Sequence, residues 1–287
     1  MNPWLAGARP KTLPAAVVPV AVGTAAAAVD GASTIWWRAA AALIVALALQ
    51  IATNYANDYS DGIRGTDDDR TGPDRMVGSG MVEAKKVKYA AFAWFGAAAV
   101  AGLALVIAVG PELIVVGIAS ILAGWFYTGG KNPYGYLGLG EIFVFVFFGL
   151  VATAGSAYIQ PGGWSALVWL AAIAVGCLAT ALLVTNNLRD IPTDKETGKI
   201  TLAVRLGDQR TRWLFVVFLL LPFVIAVVIG IDRPWALLAL AAVPVAAFAI
   251  RPVLAGATGL DLIPVLEMTG KTQLLYGLLL TIGLWIS

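Results

Sequence analysis

Apolar runs of membrane-crossing length recur along the whole chain, near 13–29, 37–57, 87–109, 112–128, 140–159, 164–186, 212–231, 234–253 and 270–286. A hydrocarbon core about 30 Å thick takes about 20 apolar residues per helix. The pattern therefore predicts an all-α polytopic membrane protein, with about nine transmembrane helices forming one bundle and a single domain over residues 1–287. With 60% hydrophobic and 13% charged residues, a water-soluble globular reading is excluded. Gly110 and Pro111 separate the third and fourth runs and predict a tight turn there.

Orientation follows from the basic residues. With nine spans, 17 of the 19 Lys and Arg fall at the N-terminus and in the loops after spans 2, 4, 6 and 8, leaving only Arg38 and Arg233 opposite. The positive-inside rule makes the basic side cytoplasmic and predicts a multi-pass protein of the plasma membrane, its loop caps in the cytoplasm. Arg9 and Lys11 ahead of an Ala/Val-rich run have the outline of a secretory leader. Pro14 and Pro19 within that run, and the charge count, favour an uncleaved first span. No nucleic-acid partner is expected; membrane lipid is.

The chain has no histidine and one cysteine, Cys177, inside the sixth run. This excludes His-ligated haem, the usual zinc sites, His-based catalytic triads and an intrachain disulfide. Chemistry must come from elsewhere.

Two acidic segments supply the candidates: NYANDYSDGIRGTDDD at 54–69 and NNLRDIPTDKETGK at 186–199, at the ends of spans 2 and 6. Asp58 and Asp61 are three apart, Asp190 and Asp194 four apart, and Asn54 and Asn186 each lie one turn ahead of the leading Asp. Residues three and four apart share a helix face, so the two faces brought together predict a pocket of four carboxylates and two amides. A carboxylate in the middle of a membrane helix costs about 3 kcal/mol, and such groups at helix ends call for water, a cation or a function. Magnesium suits them, being held by one or two carboxylates together with substrate phosphates. Arg64, Arg75, Lys131, Arg189 and Lys195, on the same side, are candidates to neutralise a diphosphate. Asp67, Asp68, Asp69 and Asp74 read as a polar loop tip.

A third polar segment on that side, YTGGKNPYGYLGLGE at 127–141, offers Tyr127, Tyr134 and Tyr136 with Lys131 among glycines. Phe143, Phe145, Phe147 and Phe148 continue the aromatic stretch. These rings read equally as an interfacial belt or as walls for a developing carbocation.

Together with the opening ARPKTLPAAVVPVAVGT, these three ordered motifs resemble the UbiA superfamily of intramembrane aromatic prenyltransferases over nearly the whole chain. The resemblance implies nine helices and a polyprenyl diphosphate donor held with Mg²⁺ by Asn54, Asp58, Asp61, Asn186, Asp190 and Asp194. It similarly implies that Tyr127 and Lys131 meet the donor near the bond that breaks, and that Arg9 lines the acceptor side, with Tyr134 beside it. The superfamily's first motif runs NDxxDxxxD, whereas here Asp67 comes six after Asp61. That spacing puts a metal role for Asp67 in doubt and suits the naphthoate branch, which implies 1,4-dihydroxy-2-naphthoate as acceptor and loss of CO₂ and diphosphate to give demethylmenaquinol. Other acceptors, such as 4-hydroxybenzoate, homogentisate or protohaem, remain open. A secondary transporter would also carry intramembrane carboxylates, but usually on inverted repeats. Here the motifs are four spans apart and so fall on one side.

Overall fold

The computed structural model describes residues 2–29, 32–66 and 75–287. Among them the chain is helical and the helices follow the apolar runs: α1 Pro3–Ala8, α2 Pro14–Ala28, α3 Trp36–Arg64, α4 Ala84–Ala108, α5 Glu112–Phe126, α6 Gly140–Tyr158, α7 Ala166–Glu196, α8 Leu202–Leu206, α9 Asp208–Asp232, α10 Pro234–Leu254 and α11 Leu262–Trp285. By length and composition, six of the described helices can cross a membrane, or seven if the Pro3–Thr12 segment, which contains α1, and α2, bent by 44° at their junction, form one broken span. The protein is a multi-pass membrane protein. Helices also stand at the remaining two expected places: α5 has only 15 residues, and α11 carries Glu267 and Lys271 within its apolar length.

Two helices outrun their apolar stretches. α3 has 29 residues and α7 has 31, so each is well over 40 Å long at 1.5 Å per residue and projects beyond a 30 Å core. The projecting turns carry the two acidic motifs at one end of the bundle. The opposite end is marked by exposed Trp36, Trp37, Trp164, Trp235 and Trp285, with Trp36 stacked on Trp285 at 5.6 Å. This is the distribution of an interfacial aromatic belt.

α3 packs along α4, and α7 packs against α6 and α9, while α11 is flanked by α2 and α10. The larger apolar core lies among α2, α7, α9, α10 and α11; a smaller one, built on Tyr55, Met76, Val87 and Phe95, joins α3 to α4. Close approach in lipid depends on small residues. A Cβ on Gly149 of α6 would lie 2.6 Å from the Gly176 Cα of α7, so those two backbones touch. Beside that contact α6 widens into a π-helix over Phe145–Ala154, a departure often found at functional sites.

Candidate active site

Between the two packed groups runs a cavity of about 370 Å³ that starts among the acidic motifs and continues down the bundle. Its α3 wall is Ala42, Val45, Ala46, Leu49, Gln50 and Thr53, then Asn54, Asn57 and Asp61. These positions follow an i, i+3, i+4, i+7 pattern, which is one helix face, and that face turns from apolar to polar toward the helix end. The α7 wall repeats the pattern, from Ala179, Leu182 and Leu183 to Asn187, Asp190 and Asp194. From Ala42 to Asp61 is 19 residues, about 28 Å of helix. The cavity is thus a long, mostly apolar slot with a carboxylate and amide mouth.

The mouth is held by side chains from three loops. Tyr136 donates to Asp61 Oδ1 at 2.9 Å. Its ring has Arg64 at 5.2 Å and Lys199 at 5.6 Å, and its carbonyl accepts from Ile200 N at 3.2 Å. Burial, then the nearby Asp61 carboxylate, pushes the Tyr136 hydroxyl well above the usual phenol range, so it stays a donor. Lys199 Nζ lies 3.3 Å from Asp194 Oδ1, while the other oxygen of that buried carboxylate has no partner. Asn54 spends its N–H₂ on the Ala8 carbonyl at 3.0 Å, and Asn187 spends its own on Glu141 at 2.8 Å. Each amide therefore has its oxygen left to serve as a ligand.

Below the mouth an aromatic ladder forms one wall. Tyr127 meets Tyr134 edge-on at 5.4 Å, Tyr134 stacks on Phe143 at 3.9 Å, and Phe143 faces Phe147 at 6.0 Å. The Tyr134 hydroxyl is tied to the Ala123 carbonyl at 2.7 Å.

Residues 16–258 match the UbiA prenyltransferase family. The chain belongs to that family. This prenyltransferase is 51% identical to a 1,4-dihydroxy-2-naphthoate octaprenyltransferase of Mycobacterium tuberculosis, over 96% of this chain and 94% of the relative. It is 38% identical to the protein of the same name from Escherichia coli, over 99% and 95%. Its fold is similar to that of a UbiA homolog from Aeropyrum pernix, with a TM-score of 0.73 at 13% identity, covering 93% of this chain and 97% of that one. A UbiA homolog from Archaeoglobus fulgidus bound to DMAPP and Mg²⁺ gives 0.63 at 15%, covering 98% and 100%.

In this UbiA-family chain the expected residues divide. Asn54, Asp61, Asn186, Asp190, Asp194, Arg9, Arg75, Tyr127 and Tyr134 all line the cavity. Asp58 does not. It is buried, and its carboxylate accepts from the backbone of Met76 at 3.2 Å and Val77 at 3.0 Å, so it holds the segment at Met76 and Val77 against α3. The expected four-carboxylate pocket is thus a three-carboxylate one, with Asn57 and Asn187 added to its amides. Arg189 also lies off the cavity and clamps Asp190 in a two-pronged pair at 2.6 and 2.7 Å. Arg64 reaches the carbonyls of Thr128 and Gly130. Lys131 and Lys195 are exposed and lie outside the cavity wall. Asp67, Asp68, Asp69 and Asp74 lie outside the described residues.

Three contributors escaped the motif reading, Asn57, Asn187 and Lys199, while Tyr136, noted there for its ring and hydroxyl, holds the mouth through Asp61. Drawing the α3 face from Asp61 instead of Asp58 picks out Asn57 and Asn54 at once. No group of three or more acidic, His or Cys side chains converges to hold an ion by itself among the described residues. The donor set fits a different kind of cation site. Its ligands are oxygens, one buried carboxylate oxygen on Asp194 lacks a partner, and both acidic motifs sit at helix C-termini, where the dipole also favours a cation. A divalent ion sharing its shell with substrate phosphate and water suits that set.

Proposed function

We propose that this prenyltransferase moves a polyprenyl group from an allylic polyprenyl diphosphate to 1,4-dihydroxy-2-naphthoate, with loss of diphosphate and CO₂, to give demethylmenaquinol. The observation that carries this reading is the continuous cavity, charged at Asp61 and Asp194 and mostly apolar down to Ala42. A diphosphate fits the mouth, and an isoprenoid chain fits the slot. Two relatives that match nearly end to end bear the naphthoate name, which supports the acceptor.

Mg²⁺, bound with the diphosphate, would supply charge neutralisation for the leaving group. Asp61, Asp194 and the oxygens of Asn54 and Asn187 are the residues to hold it, with Asp190 positioned by Arg189. Lys199, Arg75 and the Asn57 amide face the same volume and are suited to the phosphate oxygens. Asp58 serves the site indirectly, by fixing the loop that brings Arg75 to the cavity.

The allylic C–O bond breaks with its electron pair leaving on diphosphate. The aromatic ladder from Tyr127 to Phe147 borders the slot where the allyl cation would form and keeps water from it. The ring carbon bearing the carboxylate attacks, forming the new C–C bond. The bond to the carboxylate then breaks, CO₂ departs, and the released pair restores aromaticity. That sequence needs no strong base at the attacked carbon, which agrees with a chain lacking histidine. Nine spans, with α5 and α11 included and α1 and α2 as one, would put both motif ends on the basic, cytoplasmic side of the plasma membrane.

The test is turnover by purified protein in nanodiscs with both substrates, with Mg²⁺ and with EDTA, reading prenylated product by mass. Metal-dependent product is expected. Product only with another aromatic acceptor would overturn the acceptor, and intact diphosphate with every acceptor would overturn prenyl transfer.

A further inference from the structure

Gln50 stands two helical turns from Asn57 on the cavity face of α3, about 10 Å deeper in the bundle. It is only 8% exposed. Its Nε2 donates to Thr12 Oγ1 at 3.0 Å, and its Oε1 is buried without a partner. The orientation of the amide is fixed by its neighbours. Thr12 has one hydroxyl hydrogen, and it goes to the Arg9 carbonyl at 2.9 Å. Toward Gln50, Thr12 can therefore only accept, so the NH₂ end of Gln50 faces Thr12 and the carbonyl end is the one left over. A second approach to Thr12 Oγ1, from Asn54 Nδ2 at 3.3 Å, is also a donor.

A buried acceptor without a donor carries a cost, and the cavity is the space from which Gln50 can recruit one. Beside it on the same wall is Arg9, held by the same Thr12 and set in a left-handed backbone conformation at φ 52°. The wall thus carries both Arg9 and a vacant amide carbonyl, joined through Thr12. We infer that Gln50 is a specificity residue for the acceptor: its Oε1 accepts a hydrogen bond from a ring hydroxyl of a hydroxylated aromatic carboxylate whose carboxylate lies toward Arg9. This rests on the prenyl-transfer reading and adds the group that reads the hydroxyl. A site built to bond a hydroxyl rejects an analogue lacking it far more sharply than an apolar wall does.

The experiment measures Kd for 1-hydroxy-2-naphthoate, 4-hydroxy-2-naphthoate and unsubstituted 2-naphthoate, on full-length wild type and Gln50→Met in nanodiscs. Wild type is expected to bind one of the hydroxylated acids about 10-fold more tightly than 2-naphthoate. Gln50→Met should erase that preference while leaving the 2-naphthoate Kd and the KM for polyprenyl diphosphate within about 2-fold, a pattern that general damage to the fold does not give. Thr12→Val, which frees the amide to turn over, should narrow the preference and gives the same answer if Gln50→Met does not fold. A preference that survives both changes, or one absent from wild type, overturns the inference. Should the Gln50-dependent preference be present while no prenylated product forms, the prenyl-transfer reading fails and the binding site stands. Product formed by a Gln50→Met enzyme with its preference intact removes the Gln50 role alone.

Discussion

The Tyr136 hydroxyl lies 2.9 Å from Asp61 Oδ1 and 2.9 Å from Thr66 Oγ1. The carboxylate can only accept, so the phenol hydrogen goes to Asp61 and Thr66 donates to the phenol oxygen. Three loops meet in this contact: the end of α3, the segment between α5 and α6, and, through Ile200 and Lys199, the segment after α7.

Tyr136→Phe keeps the ring between Arg64 and Lys199 and removes only the donor. A hydrogen bond to a charged group is worth about 1.5–3 kcal/mol, so the melting temperature is expected to drop by a few degrees and kcat/KM for the diphosphate donor to fall at least about 10-fold. Steady-state kinetics alongside a thermal melt in detergent check this.

Asp58 and Asp194 should fail in different ways. Asp194→Asn removes a carboxylate from the cavity wall and is expected to cut turnover by about two orders of magnitude or more, with little change in melting temperature. Asp58→Asn weakens the acceptor for Met76 and Val77 N–H and should lower the melting temperature by several degrees. Equal loss of turnover without destabilisation in both variants would show that Asp58 reaches the diphosphate after all.

The two lysines at the end of α7 give a similar contrast. Lys199 lines the cavity 3.3 Å from Asp194, whereas Lys195 is exposed. Lys199→Met should raise KM for the donor about 10-fold, and Lys195→Met by less than about 2-fold. A reversed order in the donor titration would require the loop after α7 to rearrange on binding.

How much of this could be read from sequence depends on the distance over which each residue is positioned. Asp61, Asp190 and Asp194 are placed by their own helices, and a 3.6-residue repeat is visible in the string of letters. The apolar runs marked the helices but not their ends, because the last turns of α3 and α7 are polar and look like loop. Asp58 stands apart from them: it is turned by the backbone of Met76 and Val77, 18 and 19 positions away, and no local pattern encodes that pairing. Lys131 and Lys195 share their motifs with site residues but project outward, since a motif gives proximity in sequence and not direction. Lys199 and Tyr136 reach the site through contacts between separate loops.

The apolar slot predicts a length preference. Ala46 lines it one helical turn from Ala42, toward the end away from Asp61, and Ala46→Phe would fill space that a long isoprenoid chain needs. The kcat/KM ratio of octaprenyl to geranyl diphosphate is expected to drop about 10-fold, with geranyl diphosphate turned over at close to the wild-type rate. An unchanged ratio would mean that the tail leaves the cavity above Ala46.

The most direct measurement follows the carboxylate itself: single-turnover reaction with carboxyl-labelled 1,4-dihydroxy-2-naphthoate and a polyprenyl diphosphate, counting labelled CO₂ against prenylated product. One CO₂ per product, appearing only with Mg²⁺ present, is the predicted result. Prenylated product that retains the label would contradict attack at the carboxyl-bearing carbon, and label released without prenylated product would contradict prenyl transfer to this acceptor.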